Sequence, residues 1–170
     1  EINKDIRYED NGNFLFIGRD EKRKNLKLFV QLANFYESKF KFIAVTNKKT
    51  DNKSVTYHIS PSEIDKKSII SNVGIYIAPN IKSESFGITI LEAINQGNVA
   101  ICSNIKAFKT LLNDSGIFFA KDNFEDLKKT INNLNEENLN EIWSKQYNYI
   151  SQNYSMDKVL QKWIYVYKNI

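Results

Sequence analysis

Two short stretches carry residues whose types and spacing could do chemistry on a phosphorylated ligand. The first is Gly18-Arg19, with Lys24 five residues beyond Arg19. A glycine directly after an apolar run permits a tight exit. Two cations at the start of the next helix then suit a diphosphate, because fixed positive charge and free helix N–H groups act on the same anion. Lys22, Arg23 and Lys27 share the stretch, so a solvated basic face is the competing reading. The second stretch is Glu84-Ser85-Phe86-Gly87-Ile88-Thr89-Ile90-Leu91-Glu92-Ala93, followed by Gly97. Gly87 lacks the Cβ that would meet a phosphate approaching the first exposed N–H groups of a helix. Glu84 and Glu92 are bidentate acceptors, suited to the vicinal hydroxyls of a sugar. The competing role for Glu84 is a charge that favours the helix dipole, worth about 0.3–1 kcal/mol. Glu92 stands among Ile90, Leu91, Ala93 and Ile94, and an acid in so apolar a setting needs a partner.

Such residues act together only if the fold brings them to one place. Strands are expected over 14–17, 42–45, 55–59, 73–78, 99–102 and 117–119, and most of them are continuous apolar runs, the pattern of strands covered on both faces as in a parallel sheet. Between them, Leu26, Phe29, Val30, Leu32 and Ala33 recur at helical spacing and predict a helix over 25–38. Ser60-Pro61-Ser62-Glu63 predicts a capping box with Ser60 at the N-cap. Further helices are expected over 87–96, closed by Gly97, over 105–112, and from a cap at Asn123 to residue 134. Two more follow, the last beginning at Ser155. Strand and helix alternating in this way predict an α/β domain, a Rossmann-like doubly wound parallel sheet. In such sheets ligands bind beyond the carboxyl ends of the strands, which is where both stretches fall.

Composition narrows the classes. A chain of 170 residues fits one domain. Cys102 is the single cysteine and His58 the single histidine, which excludes a disulfide framework, a cysteine zinc site and a multi-histidine metal site. No apolar run approaches the ~20 residues that span a bilayer, and no secretory signal is visible. The net charge of +4 and pI near 9.0 suit a phosphate-bearing ligand or an anionic surface. No RNA-binding signature, helix-turn-helix spacing or zinc finger is present, so nucleic acid is not an expected partner. The chain begins with Glu1 rather than methionine, which predicts a piece of something longer, with residues 1–13 as its incoming connector.

Glu84 and Glu92, separated by seven residues and accompanied by Phe86-Gly87 and Ala93, resemble the E-x7-E motif of retaining glycosyltransferases. Gly18-Arg19 with Lys24-Asn25 resembles the G-R-x-x-x-x-K-G/N loop of the same group. The likeness runs from about residue 14 to 167. The chain is thus similar to the C-terminal, donor-binding domain of a family-four glycosyltransferase of the GT-B fold. That resemblance implies that Arg19 and Lys24 bind the donor diphosphate and stabilise the departing nucleotide. It gives hydroxyls of the transferred sugar to Glu84 and the ribose to Glu92. Gly18 and the backbone N–H groups of Phe86, Gly87 and Ile88 would complete the cradle, and the base would lie near His58 and Ile59.

The resemblance further implies a nucleotide sugar, commonly a UDP-sugar, as co-substrate, with no metal or other cofactor. The acceptor would be a glycan or a lipid-linked molecule, as in bacterial polysaccharide biosynthesis. The enzyme would be cytoplasmic, with peripheral contact at the inner face of the membrane as a further expectation. An N-terminal domain, absent from these 170 residues, would hold the acceptor, so the chain alone is expected to show little turnover. The last helix, with Met156, Val159, Leu160, Trp163, Ile164 and Tyr167, would then expose part of its apolar face. Two departures stand out: Thr46-Asn47-Lys48-Lys49 replaces a glycine-rich turn, and Asn98 stands where proline is common. A catalytically silent binding module and half of a sugar-nucleotide epimerase are the alternative readings.

Overall fold

The computed structural model describes residues 12–37, 39–82, 84–134 and 136–168, with the side chains of residues 136, 137, 156, 157, 159, 162, 163 and 168 outside that description. Most of the predicted connector, residues 1–11, therefore lies outside the described residues, as do the side chains of Met156, Val159 and Trp163. Asn13, expected to end the connector, instead opens the first strand, where it pairs with Lys41.

Six strands form one sheet: β1 (Asn13–Ile17), β2 (Lys41–Thr46), β3 (Thr56–Ile59), β4 (Ile75–Ala78), β5 (Val99–Ser103) and β6 (Ile117–Phe119). Every neighbouring pair is parallel, in the order β3-β2-β1-β4-β5-β6. The chain winds outward one way from β1 and then the other way from β4, so the crevice between their carboxyl ends is the topological switch point. The helices are α1 (Leu26–Phe35), α2 (Glu63–Ser71), α3 (Ile88–Asn95), α4 (Lys106–Leu112), α5 (Phe124–Asn132), α6 (Glu136–Tyr154) and α7 (Met156–Lys168). The helices pack in two groups: α1 packs against α5, while α3 and α4 pack against α6.

The apolar runs explain this arrangement. Phe14, Leu15 and Phe16 of β1 are wholly buried, as a central strand covered on both faces must be. Phe14 stacks on Phe42 with ring centroids 5.0 Å apart, and Phe29 of α1 closes over Phe16 and Phe42 at 5.7 and 5.6 Å. On the other face, Trp143 of α6 is buried and donates its indole N–H to the Ile94 carbonyl at 2.9 Å. Asn98 proves to be a buried tie: its amide donates to the carbonyls of Ile70 and Ala93, joining the ends of α2 and α3.

Several boundaries move. The predicted cap at Ser60 is displaced by two residues. Ser60 has φ 44° and donates its N–H to the Thr46 carbonyl at 2.8 Å, so it continues the β2–β3 ladder instead of starting a helix. Ser62 is the cap: its Oγ accepts the Asp65 N–H at 3.1 Å, and Asp65 supplies the acid three residues on. The first helix is shorter than 25–38, and β4 begins at Ile75 rather than at residue 73. Gly97 closes α3 with φ 92°, and Asn123 caps α5 by accepting the Asp126 N–H at 3.0 Å, both as expected. Among the described side chains of α7, Leu160, Ile164, Tyr165, Val166 and Tyr167 are all about half exposed or more. No described helix is long and apolar enough to cross a membrane.

Candidate functional site

The switch point is where the two chemistry-bearing stretches meet. Gly18 leaves β1 with its N–H on the Val45 carbonyl at 3.0 Å. A Cβ there would stand 3.1 Å from the Phe16 ring and 3.3 Å from Cγ of Lys24. The glycine thus leaves the path along which the lysine stem folds back over the strand end. Residues Lys22–Lys24 make one 3-10 turn, and Asn25, with φ 55°, turns the chain into α1.

Lys24 directs its ammonium onto Oε2 of Glu84, sixty residues away. The same oxygen accepts the side-chain amide of Asn80 at 2.7 Å and lies 3.7 Å from the Arg23 guanidinium. The Lys24 and Glu84 side chains are only 13% and 15% exposed, so the pair is largely shielded from bulk water and removing either partner would strand the other's charge. Asn80 is itself buried. It follows Pro79 at the exit of β4, and its carbonyl accepts Ser103 Oγ at 2.5 Å. The Ile81 N–H donates to the Arg23 carbonyl at 2.9 Å. The exits of β1 and β4 are thereby locked together by backbone and side chains at once.

Arg19 behaves differently from Lys24. Its side chain is 76% exposed and 3.8 Å from Glu21, which also accepts Arg23 Nε at 2.7 Å. The next residue, Asp20, donates its N–H to Asn47 Oδ1 at 2.7 Å, so the unusual turn after β2 braces this loop by a side chain.

The approach to α3 completes the floor. Gly87 has φ 105° and is the N-cap of α3. The reason for glycine differs from the expected one. A Cβ would come within 3.1–3.2 Å of Leu111, Ile90 and Phe108, so the position answers to the core beneath it and to a left-handed backbone, whatever ligand lies above. Gly87→Ala is expected to cost about 1–3 kcal/mol, which thermal unfolding reads as a fall of several degrees. An unchanged midpoint would show that the turn relaxes freely. Tyr76, fully buried in β4, donates its hydroxyl to Thr89 Oγ1 at 2.9 Å in the first turn of α3, and burial pushes its phenol above the usual tyrosine range. Phe86 and Ile88 stay exposed, Phe86 edge-on to Tyr154 with centroids 5.5 Å apart.

Glu92, further along α3, is not part of the Glu84 cluster. Its Oε1 accepts Lys66 of α2 at 3.3 Å, while its Oε2 is buried with no hydrogen-bond partner among the described residues. Lys66 also pairs with Glu63 at 3.1 Å. Partial burial pulls the Lys66 ammonium down in pKa, but the Glu63 hydrogen bond and the charge and hydrogen bond of Glu92 outweigh it, and the pKa ends above the usual lysine value. His58, half-buried, and Ile59, exposed, lie on β3, the outermost strand on that side. Among the described residues no hydrogen bond or ion pair joins either side chain to Lys24, Glu84 or Glu92.

The structure therefore brings Lys24 and Glu84 together at the switch point, with Gly18 and Gly87 shaping the two turns and Arg19 at the rim. Sequence reasoning missed Asn80, Arg23 as a member of the cluster, and Lys66. Asn80 had a usable signal, since it directly follows the proline that ends a strand; Lys66 had none. The described residues hold no group of three or more His, Cys, Asp and Glu side chains placed to bind a metal ion. A nearly buried lysine–carboxylate–amide cluster with an exposed arginine beside it can grip a phosphorylated, hydroxyl-rich ligand.

Comparison with known proteins bears on which ligand. The family model described as glycosyl transferases group 1 matches residues 1–154. Phosphatidyl-myo-inositol mannosyltransferases of Mycobacterium leprae and Mycobacterium tuberculosis are 36% identical over 52 residues, 31% of this chain and 14% of theirs. A glycosyltransferase from Rickettsia africae superposes with a TM-score of 0.80 at 18% identity, over 94% of this chain and 48% of its own. The Anabaena HepE protein, in complex with UDP and glucose, superposes with a TM-score of 0.81 at 14% identity, over 95% of this chain and 49% of its own. The chain thus spans about half the length of these solved structures.

Proposed function

We propose that this chain, which belongs to the glycosyl transferases of group 1, is the donor-binding half of an enzyme that moves a hexose from a nucleotide sugar to an acceptor. Its sheet matches one half of a GT-B fold, and the other half would belong to the same protein and hold the acceptor. The carrying observation is the convergence of Lys24, Asn80 and Arg23 on Glu84 between the exits of β1 and β4. In this reading Lys24 and Arg19 hold the diphosphate and offset the charge that develops on it as the sugar leaves, the electrostatic role that a preorganised cation fills best. Glu84, fixed by hydrogen bonds from Lys24 and Asn80 beside the Arg23 charge, receives sugar hydroxyls, and the free N–H groups at the start of α3, near Phe86, Gly87 and Ile88, receive the remaining oxygens. Glu92 takes the ribose, and the loop after Ile59 faces the base. UDP is the proposed nucleotide, since solved relatives of the fold are complexes with UDP and UDP-glucose. No metal enters this scheme, because the cations carry the charge. Retention of anomeric configuration and a glycan or lipid-linked acceptor at the inner membrane face complete the proposal. The exposed apolar face of α7 is the proposed contact to the acceptor half.

The test is an NMR titration of the chain with UDP, GDP and ADP, repeated on Arg19→Ala and Glu92→Ala. Saturable shifts with one base around residues 18–24 and 84–92, weakened at least severalfold in both variants, are the expected result. Half a site binds weakly, and millimolar affinity, about 4 kcal/mol, still registers. No shifts with any of the three would turn the reading towards an interaction module that has kept the fold and lost the donor.

A further inference from the structure

A groove of about 420 Å³ runs between α2 and α3, lined by Glu63, Ile64, Lys66, Ile70, Glu92 and Gln96. It is roomy enough for a sugar ring, and an ion pair crosses it. Lys66 Nζ lies 3.3 Å from Glu92 Oε1 and is drawn down at the same time by Glu63 at 3.1 Å. Its side chain is 19% exposed. Glu92 is therefore held by one oxygen, while the other is buried without a donor among the described residues.

A carboxylate oxygen in that state is costly to leave unmade and gains most from a ligand hydroxyl. The gain depends on the carboxylate staying put. The Glu92 side chain is 34% exposed, so without a partner it can adopt other rotamers. Lys66 holds it from one turn into the neighbouring helix. The Lys66 ammonium is engaged by Glu63 and Glu92, so it acts on the ligand through Glu92.

We propose that Lys66 is a positioning residue that sets Glu92 Oε2 to accept a ribose hydroxyl, and so makes the site select ribonucleotides over 2′-deoxyribonucleotides. This rests on the donor-site reading above. Selection arises because a site built around a hydrogen-bonding hydroxyl leaves its own buried acceptor unpaired when that hydroxyl is missing. Lysine does this without contacting ligand, by fixing the acceptor it selects with.

The experiment measures Kd by NMR for whichever of UDP, GDP and ADP binds, and for its 2′-deoxy form, in the wild-type chain, Lys66→Met, Lys66→Arg and Glu92→Gln. Methionine keeps the stem of lysine and the helix propensity of α2, and the amide fingerprint checks that the variant is folded. Wild type is expected to prefer the ribonucleotide about tenfold. Lys66→Met should reduce that preference to within about threefold while binding the deoxy form as wild type does, Lys66→Arg should restore most of it, and Glu92→Gln should match Lys66→Met. A merely structural role would weaken both nucleotides equally. A preference that survives in Lys66→Met, or no preference in wild type, overturns the role of Lys66 and leaves the donor site standing. No binding of any nucleotide by the wild-type chain overturns the donor site and this inference with it.

Discussion

Glu84→Ala is expected to lower sugar transfer by the full-length protein at least about a hundredfold and to destabilise the fold by about 3 kcal/mol. The second figure follows from what the carboxylate leaves behind. Lys24 is 13% exposed and its ammonium rests on Glu84, so the alanine variant strands a largely buried charge, the costly way to break such a pair. Asn80 loses its acceptor at the same moment. For a domain of this size the midpoint should fall by roughly 6–12 °C. The first figure follows from the proposed role, since losing a preorganised group that acts on the reacting sugar typically costs a factor of 10²–10³.

Glu84→Gln separates the two effects, because it keeps the shape and can still accept from Asn80. It should fold and still lose transfer. It also carries a signed consequence for binding. Glu84 neutralises Lys24 in the ligand-free site, so the glutamine variant leaves that cation free to meet a diphosphate. UDP affinity should hold or rise while kcat falls. A drop in UDP affinity equal to the drop in transfer would move Glu84 from the sugar to the nucleotide end of the site. Undiminished transfer would remove it from the machinery.

Gln146→Leu is the other large effect, and it is purely structural. Gln146 lies wholly buried on α6. Its side-chain oxygen accepts the Ala100 N–H at 2.9 Å, and its amide donates to the Ala100 carbonyl at 2.9 Å. The β5–β6 register begins one residue later, at Ile101 opposite Ile117, so β6 starts too late to serve Ala100. The glutamine stands in for a missing strand residue. Leucine fills the space and serves neither group. Two buried backbone groups left unpaired at about 1–3 kcal/mol each come to about 4 kcal/mol, a fall in midpoint of roughly 8–16 °C. A midpoint within 2 °C of wild type would mean that water reaches Ala100 and the glutamine is dispensable. Because Gln146 and Glu84 share no hydrogen-bond partner, the cost should add to that of Glu84→Ala with little coupling.

The mycobacterial mannosyltransferases align over only 52 residues, and the solved relatives are under 20% identical. What those structures share with this one is therefore the fold far more than its side chains, and in this chain the fold is written in hydrophobic patterning. That patterning is also what made the fold legible. The runs around Phe14, Phe42, Ile75 and Val99 are apolar without alternation because both faces of each strand are covered, and only a parallel sheet between helices covers both. Gly97 and Asn123 marked helix ends because a left-handed exit and a side-chain cap are local needs, met by residue type alone.

The misplaced cap shows where local reasoning stops. Ser60 and Ser62 are equally good caps by composition. The choice fell to Ser62 because Ser60's N–H is taken by Thr46 on the neighbouring strand, a partner fourteen residues away. The same limit governs the site. Sequence by itself determined the doubly wound sheet, the loops that carry Arg19, Lys24 and Glu84, the helix that carries Glu92, and the end of the sheet to which they belong, because each follows from periodicity and chain punctuation within a few residues. Tertiary structure alone decided that Lys24 is buried against Glu84 while Arg19 stays in water, that Asn80 and Arg23 join that cluster, and that Glu92 pairs with Lys66. Lys24, Arg23 and Lys66 lie 60, 61 and 26 residues from the carboxylates they meet, and contacts of that span depend on how strand exits and helix faces close against one another, which no local spacing encodes.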